Sequence, residues 1–145
     1  MLRWLAAAAL PGRSNAQAGS QGVDALPDAP LLNRDGRSVR LKSELIRDRV
    51  ALINFVFATC TSLCPPQSAA MADIQRRWAH QLGQGVVLLS ITLDPLNDDP
   101  VRMARFAKSF APAEHWWWLT GAPRTVFGLL ENLGDDFGAA KSRNM

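Results

Sequence analysis

Two apolar runs dominate the pattern of the chain. Val50-Ala-Leu-Ile-Asn-Phe-Val-Phe57 and Val86-Val-Leu-Leu-Ser-Ile-Thr-Leu93 carry apolar residues on both alternating sets of positions. Strands apolar on both faces belong inside a parallel sheet, so both runs are predicted as buried parallel strands. Between them, Met71, Ile74, Trp78 and Leu82 recur at steps of three and four, which predicts a helix over 65–82, closed by Gly83 and Gly85. Strand, helix and strand make a βαβ unit. Upstream, Asp35-Gly36 is a turn pair, and Val39 and Leu41 alternate with Ser38, Arg40 and Lys42, so 31–41 reads as a hairpin. Residues 42–47 read as a short helical turn. Downstream, Asp99 caps a helix over 100–110, with Pro100 at its first position and Met103, Phe106, Ala107 and Phe110 inward. Trp116–Leu119 reads as a third strand. Val126, Leu129, Leu130 and Leu133 predict a last helix over 123–133, ended by Gly134.

Composition adds little to this α/β picture except at the amino end. The 145 residues are 48% hydrophobic and 20% charged, which fits one globular domain. The net charge is +3, from 16 basic and 13 acidic residues. Arg3 and Arg13 lie in residues 1–18, which hold no acid; removing them leaves 14 basic residues against 13 acidic ones. No basic block remains to argue for nucleic acid. Residues 1–18 have the parts of a signal peptide: Arg3, an apolar stretch Trp4–Leu10, and the small-x-small triplet Ala16-Gln17-Ala18. Export to the periplasm, with proximity to the inner membrane, is the expectation. Residues 19–25 read as a linker, and 26–145 as the domain. No stretch is long and apolar enough to span a bilayer as a helix.

The chemistry concentrates in Cys60-Thr-Ser-Leu-Cys64-Pro-Pro66, which holds the only two cysteines. The pair follows a strand and precedes a helix, where free N–H groups and the helix dipole favour thiolate. As a structural staple the pair contributes little: so small a loop stabilises by only about 2 kcal/mol, against roughly 3 for fifteen residues. A thiolate is both the nucleophile of disulfide exchange and the soft ligand of Cu(I). The three-residue spacer tilts toward metal, since two residues is the commoner redox spacing. Peroxidase chemistry fits less well, because Cys64 is an unusual resolving partner for Cys60. His80 and His115 read as ordinary surface or loop residues, and neither gives a zinc-like spacing with the cysteines. Asp94, after the second strand, shares the sheet edge of Cys60 and could order the loop, although a turn-forming Asp before Pro95 is the simpler reading.

Several ordered motifs give the stretch Leu26–Gly134 a family likeness. They are Leu26-Pro-Asp-Ala-Pro-Leu-Leu leading to Asp35-Gly36, Ile53-Asn-Phe-Val-Phe running into Cys60-Thr-Ser-Leu-Cys-Pro65, Ser90-Ile-Thr-Leu-Asp-Pro95, Asp98-Asp-Pro100, and Trp118-Leu-Thr-Gly121. In this order they resemble the Sco/SenC family of copper-binding, thioredoxin-like proteins. The resemblance implies a thioredoxin-like fold and copper held by two Cys thiolates and one His. It also implies a metallochaperone or thiol-reductant role at the copper site of cytochrome c oxidase, or toward another copper or thiol protein. Cys60 and Cys64 match the family's cysteines. The His lies beyond the Trp-Leu-Thr-Gly region and has no match here, so two of three ligands are expected. The C-terminal strands and last helix of such a fold are likewise expected to be missing, with one face or edge of the sheet left uncovered. The alternatives are a thiol–disulfide oxidoreductase using Cys60 and Cys64, or an inactive truncated fragment.

Overall fold

A computed structural model describes residues 26–133; the leader 1–18, the linker 19–25 and the segment 134–145 lie outside the described residues. The hairpin is present as β1 (Pro30–Asn33) and β2 (Ser38–Arg40), antiparallel with Leu31 opposite Val39. Its turn is held by Asn33, whose Oδ1 accepts the N–H groups of Asp35 at 3.0 Å and Arg37 at 2.9 Å. Gly36 sits at φ +78°, a conformation that favours glycine. The helical turn that follows is π-type, Leu41–Ile46, and buries Leu41, Leu45 and Ile46.

The βαβ unit is β3 (Val50–Val56), α1 (Cys64–Arg77) and β4 (Val86–Thr92), with β3 and β4 parallel from Val50 opposite Val86 to Val56 opposite Thr92. Next come α2 (Pro100–Ala107), a 3-10 turn (Lys108–Phe110), β5 (Trp116–Thr120) and α3 (Pro123–Leu133). The Oδ1 of Asp99 accepts the Arg102 N–H at 2.8 Å, the cap expected for α2. The sheet order is β2-β1-β5-β4-β3; β5 runs parallel to β4 and antiparallel to β1. One core face joins Leu31, Leu41, Leu89, Ile91 and Leu119 to α3. The other joins Leu88, Trp116 and Trp118 to Met71 of α1 and Met103 of α2.

Three expectations are corrected. β4 is buried throughout, as predicted, but β3 is not an interior strand. It is the sheet's edge among the described residues, and Val50 is 62% exposed. Its two apolar faces reflect packing against the cores above and below the sheet, which an edge strand also needs. α1 ends at Arg77 rather than 82. Trp78 caps it and stays 45% exposed, and Gly83 at φ +82° turns the chain so that Leu82 bridges to Val86. The helix over 100–110 tightens to 3-10 geometry in its last turn.

A buried polar row crosses the sheet beneath α1 and α2. Asn54, Ser90 and Trp118 are register partners on β3, β4 and β5. The Ser90 hydroxyl donates to Asn54 Oδ1 at 2.6 Å and accepts from Trp116 Nε1 at 2.9 Å. Asn54, the polar exception in the first apolar run, is thereby anchored from inside.

Candidate functional site

The site forms where β3, β4 and β5 deliver their carboxyl ends, the edge at which parallel sheets collect ligands. β3 stops at Val56, and the chain crosses to α1 through 57–63. Cys64 is the first residue of α1 and is buried, whereas Cys60 is partly exposed; both are free thiols.

Local rules explain this junction. Leu63, at the N-cap, has no side chain able to accept the helix's unpaired N–H groups. Pro65 and Pro66 have no N–H to satisfy, and their fixed φ suits a first helical turn. The Cys64 N–H remains, and it points at Cys60 Sγ, 3.4 Å away. The N–H groups of Ser62 and Leu63 also face that sulfur. Cys60 therefore caps α1 in place of a Ser or Asp. The loop is closed by the Cys60 N–H on the Phe57 carbonyl at 2.9 Å and the Phe57 N–H on Cys64 Sγ at 3.5 Å.

The two thiols are consequently unlike. The Cys64 side chain hydrogen-bonds to Cys60, and with the N–H groups of Cys64, Ser62 and Leu63 it lowers the Cys60 pKa from 9.0 to about 6. Cys64 moves the opposite way: burial raises its pKa, helped by the bond to Cys60 and by the charge of Asp98. Near neutral pH the pair is one accessible thiolate backed by one buried thiol. A groove of about 370 Å³ opens beside them along the rim of β3, with Asn54, Phe57, Leu63 and Leu93 in its walls and, among the described residues, no Lys, Arg, His, Asp or Glu.

Among the other residues singled out by sequence, Asp94 takes the turn-forming role. Its carbonyl accepts the N–H groups of Asn97 and Asp98, and its Oδ2 accepts from Asn97 Nδ2 at 2.7 Å. The carboxylate that reaches the thiol loop is Asp98, which sequence reading missed. It is 1% exposed, and its Oδ2 accepts the Ala58 N–H at 3.0 Å. The available signal was the Asp98-Asp99 pair: one acid suffices to cap α2, which leaves the other free for a different task. His80 lies past the end of α1, and His115 packs over Gly83 just before β5. Both sit at the amino edge of the parallel strands, roughly 20 Å from the thiols by the length of β4. Among the described residues no three His, Cys, Asp or Glu side chains are grouped to hold a metal ion. Two thiols suit a soft ion that accepts low coordination, and they do not suit one needing four ligands.

The chain matches the family model described as SCO1/SenC over residues 23–140. Among curated proteins it is 34% identical over 90 residues to the SCO1 protein homolog of Bacillus subtilis, covering 61% of this chain and 45% of that one. It is 32% identical over 100 residues to the mitochondrial protein SCO2 homolog of Homo sapiens, covering 68% of this chain and 36% of that one. The chain thus spans less than half the length of these relatives. Among solved structures it resembles copper-bound ScoI of Bradyrhizobium japonicum, with TM-score 0.65, 24% identity and coverage of 74% and 65% of the two chains. It also resembles BsSco, described as a member of the Sco family of cytochrome c oxidase assembly proteins with a disulfide switch. There the TM-score is 0.58, the identity 29% and the coverage 70% and 63%.

Proposed function

The chain belongs to the SCO1/SenC family, and from that premise we propose that Cys60 and Cys64 hold Cu(I) as a thiolate pair and pass it to the copper site of a partner. The observation that carries this reading is the pair itself: two free thiols at one strand-to-helix junction, one of them ionised near neutral pH. Thiolates are soft ligands, and Cu(I) accepts two of them. Cys60 offers the first without losing a proton, and Cys64 gives up its proton as the ion binds. Release then proceeds by ligand exchange with the partner's own donors. The relatives named as cytochrome c oxidase assembly proteins make that enzyme's copper-site subunit the favoured recipient, with another copper or thiol protein as the alternative. The signal-peptide pattern at 1–18 supports export, with the periplasm as the proposed setting of this work. With no third ligand grouped at the thiols among the described residues, Cu(II) should bind weakly. The test is titration of reduced protein with Cu(I) against a competing chelator. An unchanged affinity in the Cys60→Ser, Cys64→Ser double variant sinks the proposal.

The unlike thiols also favour a second reading, disulfide exchange. The Cys60 thiolate attacks a partner disulfide and expels one partner thiolate, forming a mixed disulfide. Cys64, once deprotonated, attacks Cys60 Sγ and expels the second partner thiolate. The partner leaves as a dithiol and Cys60–Cys64 as a disulfide, a transfer of two electrons. Failure to reduce any disulfide substrate counts against this reading and leaves the first intact.

A further inference from the structure

The thiol loop has no disulfide to fix it, yet the first shared bond between it and the rest of the sheet edge is specific. Asp98, four residues past Asp94 and just before the α2 cap, is buried with its carboxylate turned inward. Oδ2 accepts the N–H of Ala58, two residues before Cys60, at 3.0 Å. The same oxygen accepts the Thr92 hydroxyl at the end of β4, at 2.7 Å. The Asp98 carbonyl accepts the Thr120 hydroxyl at the end of β5, at 2.5 Å. Thr92 in turn accepts the Asp94 N–H at 2.9 Å. One residue therefore ties the exits of β3, β4 and β5 together, and the β3 exit is the one that carries the thiols.

We propose that Asp98 is a positioning residue for the Cys60–Cys64 pair, its carboxylate holding the loop at Ala58 so that both sulfurs meet one ligand. Three facts support this beyond a general role in folding. No Lys or Arg pairs with the carboxylate among the described residues, so it is held by neutral donors alone. A buried carboxylate with such partners is expensive for the fold, and an apolar residue would pack there at less cost. Among the described residues, its bond to Ala58 is also the only hydrogen bond that joins the loop before Cys60 to an element outside the β3–α1 junction. Lastly, it spans 40 residues of sequence, so no local turn requires it.

The proposal rests on the reading that both sulfurs act on one ligand, and its test keeps the two separable. Asp98→Ala and Asp98→Asn are compared with the unsubstituted chain at a temperature well below each melting point. In reduced, metal-free protein, the alkylation rates of Cys60 and Cys64 by iodoacetamide are read separately by peptide mass spectrometry. Cu(I) affinity is read against a competing chelator. Asp98→Ala should change the ratio of the two alkylation rates at least threefold and weaken Cu(I) about tenfold. Asp98→Asn, which keeps one acceptor oxygen in place, should recover part of both. A folded Asp98→Ala protein with the original ratio and affinity overturns the proposal. If Asp98→Ala does not fold, Asp98→Asn decides: unchanged values overturn it, and a shifted ratio supports it. If the chain binds no Cu(I) at all but the ratio still moves, positioning stands and the copper reading falls.

Discussion

The lowered pKa of Cys60 can be tested in a way that separates cause from consequence. At pH 7 a thiol of pKa about 6 is about nine-tenths ionised, against about one part in a hundred at 9.0, roughly a ninety-fold gain in thiolate. Each thiolate is a weaker nucleophile, however: with a Brønsted slope of about 0.4–0.5, the fall from 9.0 to about 6 slows it roughly 15- to 30-fold. The net gain at pH 7 is therefore only about three- to sixfold. At pH 6 half the thiol is ionised, against about one part in a thousand, and the net gain rises to roughly 15- to 30-fold. The profile is thus more telling than any single rate. Alkylation of Cys60 should climb as pH rises and reach half its plateau near pH 6, while Cys64 stays slow. Cys64→Ala removes the largest cause of the shift, so the half-point should move up, stopping short of 9.0 because the backbone N–H groups remain. A Cys60 half-point above about 8.5, or Cys64 reacting first, would refute the assignment of Cys60 as the helix-capping thiolate.

Other consequences follow from the same structure. Binding of Cu(I) at pH 7.5 should release about one proton per ion rather than two, since Cys60 is already ionised; calorimetry in two buffers of different ionisation enthalpy reads the number. Leu88→Ala, at a fully buried site in the middle of β4, should lose about 2–5 kcal/mol in denaturant unfolding. Gly83→Ala places a Cβ against the His115 ring at φ +82° and should lose about 1–3 kcal/mol. Adding His115→Ala should return the part due to the clash and leave the backbone strain.

What could be read from the sequence divides along physical lines. The period of the apolar residues placed the main strands and helices of the described region, with the Asp35-Gly36 turn marking the hairpin, because burial on a defined face leaves a mark at fixed intervals. It misplaced β3 in the sheet, since the two core clusters make a strand apolar on both faces whether or not a second strand flanks it. It carried α1 one turn too far, because Trp78 and Leu82 continue the stripe while Gly83 reverses the chain. The thiol pair was legible from its types and spacing. Its asymmetry was legible only in outline, since the helix end was visible but the burial of Cys64 was not. Asp98 was not legible as a loop anchor at all: its partners, Ala58, Thr92 and Thr120, are brought together by three separate chain crossings.

The asymmetry also makes the two chemistries proposed for the pair separable by experiment. Equilibrium binding of Cu(I) by two thiolates needs both sulfurs, so Cys60→Ala and Cys64→Ala should weaken it to a similar degree, whichever sulfur arrives first. Disulfide exchange uses the sulfurs in order. Cys60 opens the partner's disulfide, and Cys64 resolves the mixed disulfide that results. Cys64→Ala should then trap that mixed disulfide through Cys60 when the reduced protein meets a disulfide-bonded partner, and Cys60→Ala should trap almost none, because the buried Cys64 is held as a thiol. A non-reducing gel after brief mixing reads the trapped species directly. Equal loss of Cu(I) affinity with no trapping assigns the pair to metal transfer. Trapping by Cys64→Ala alone, with little Cu(I) affinity in the parent, assigns it to exchange. Trapping by both variants equally would contradict the arrangement in which Cys60 caps α1 and Cys64 lies beneath it.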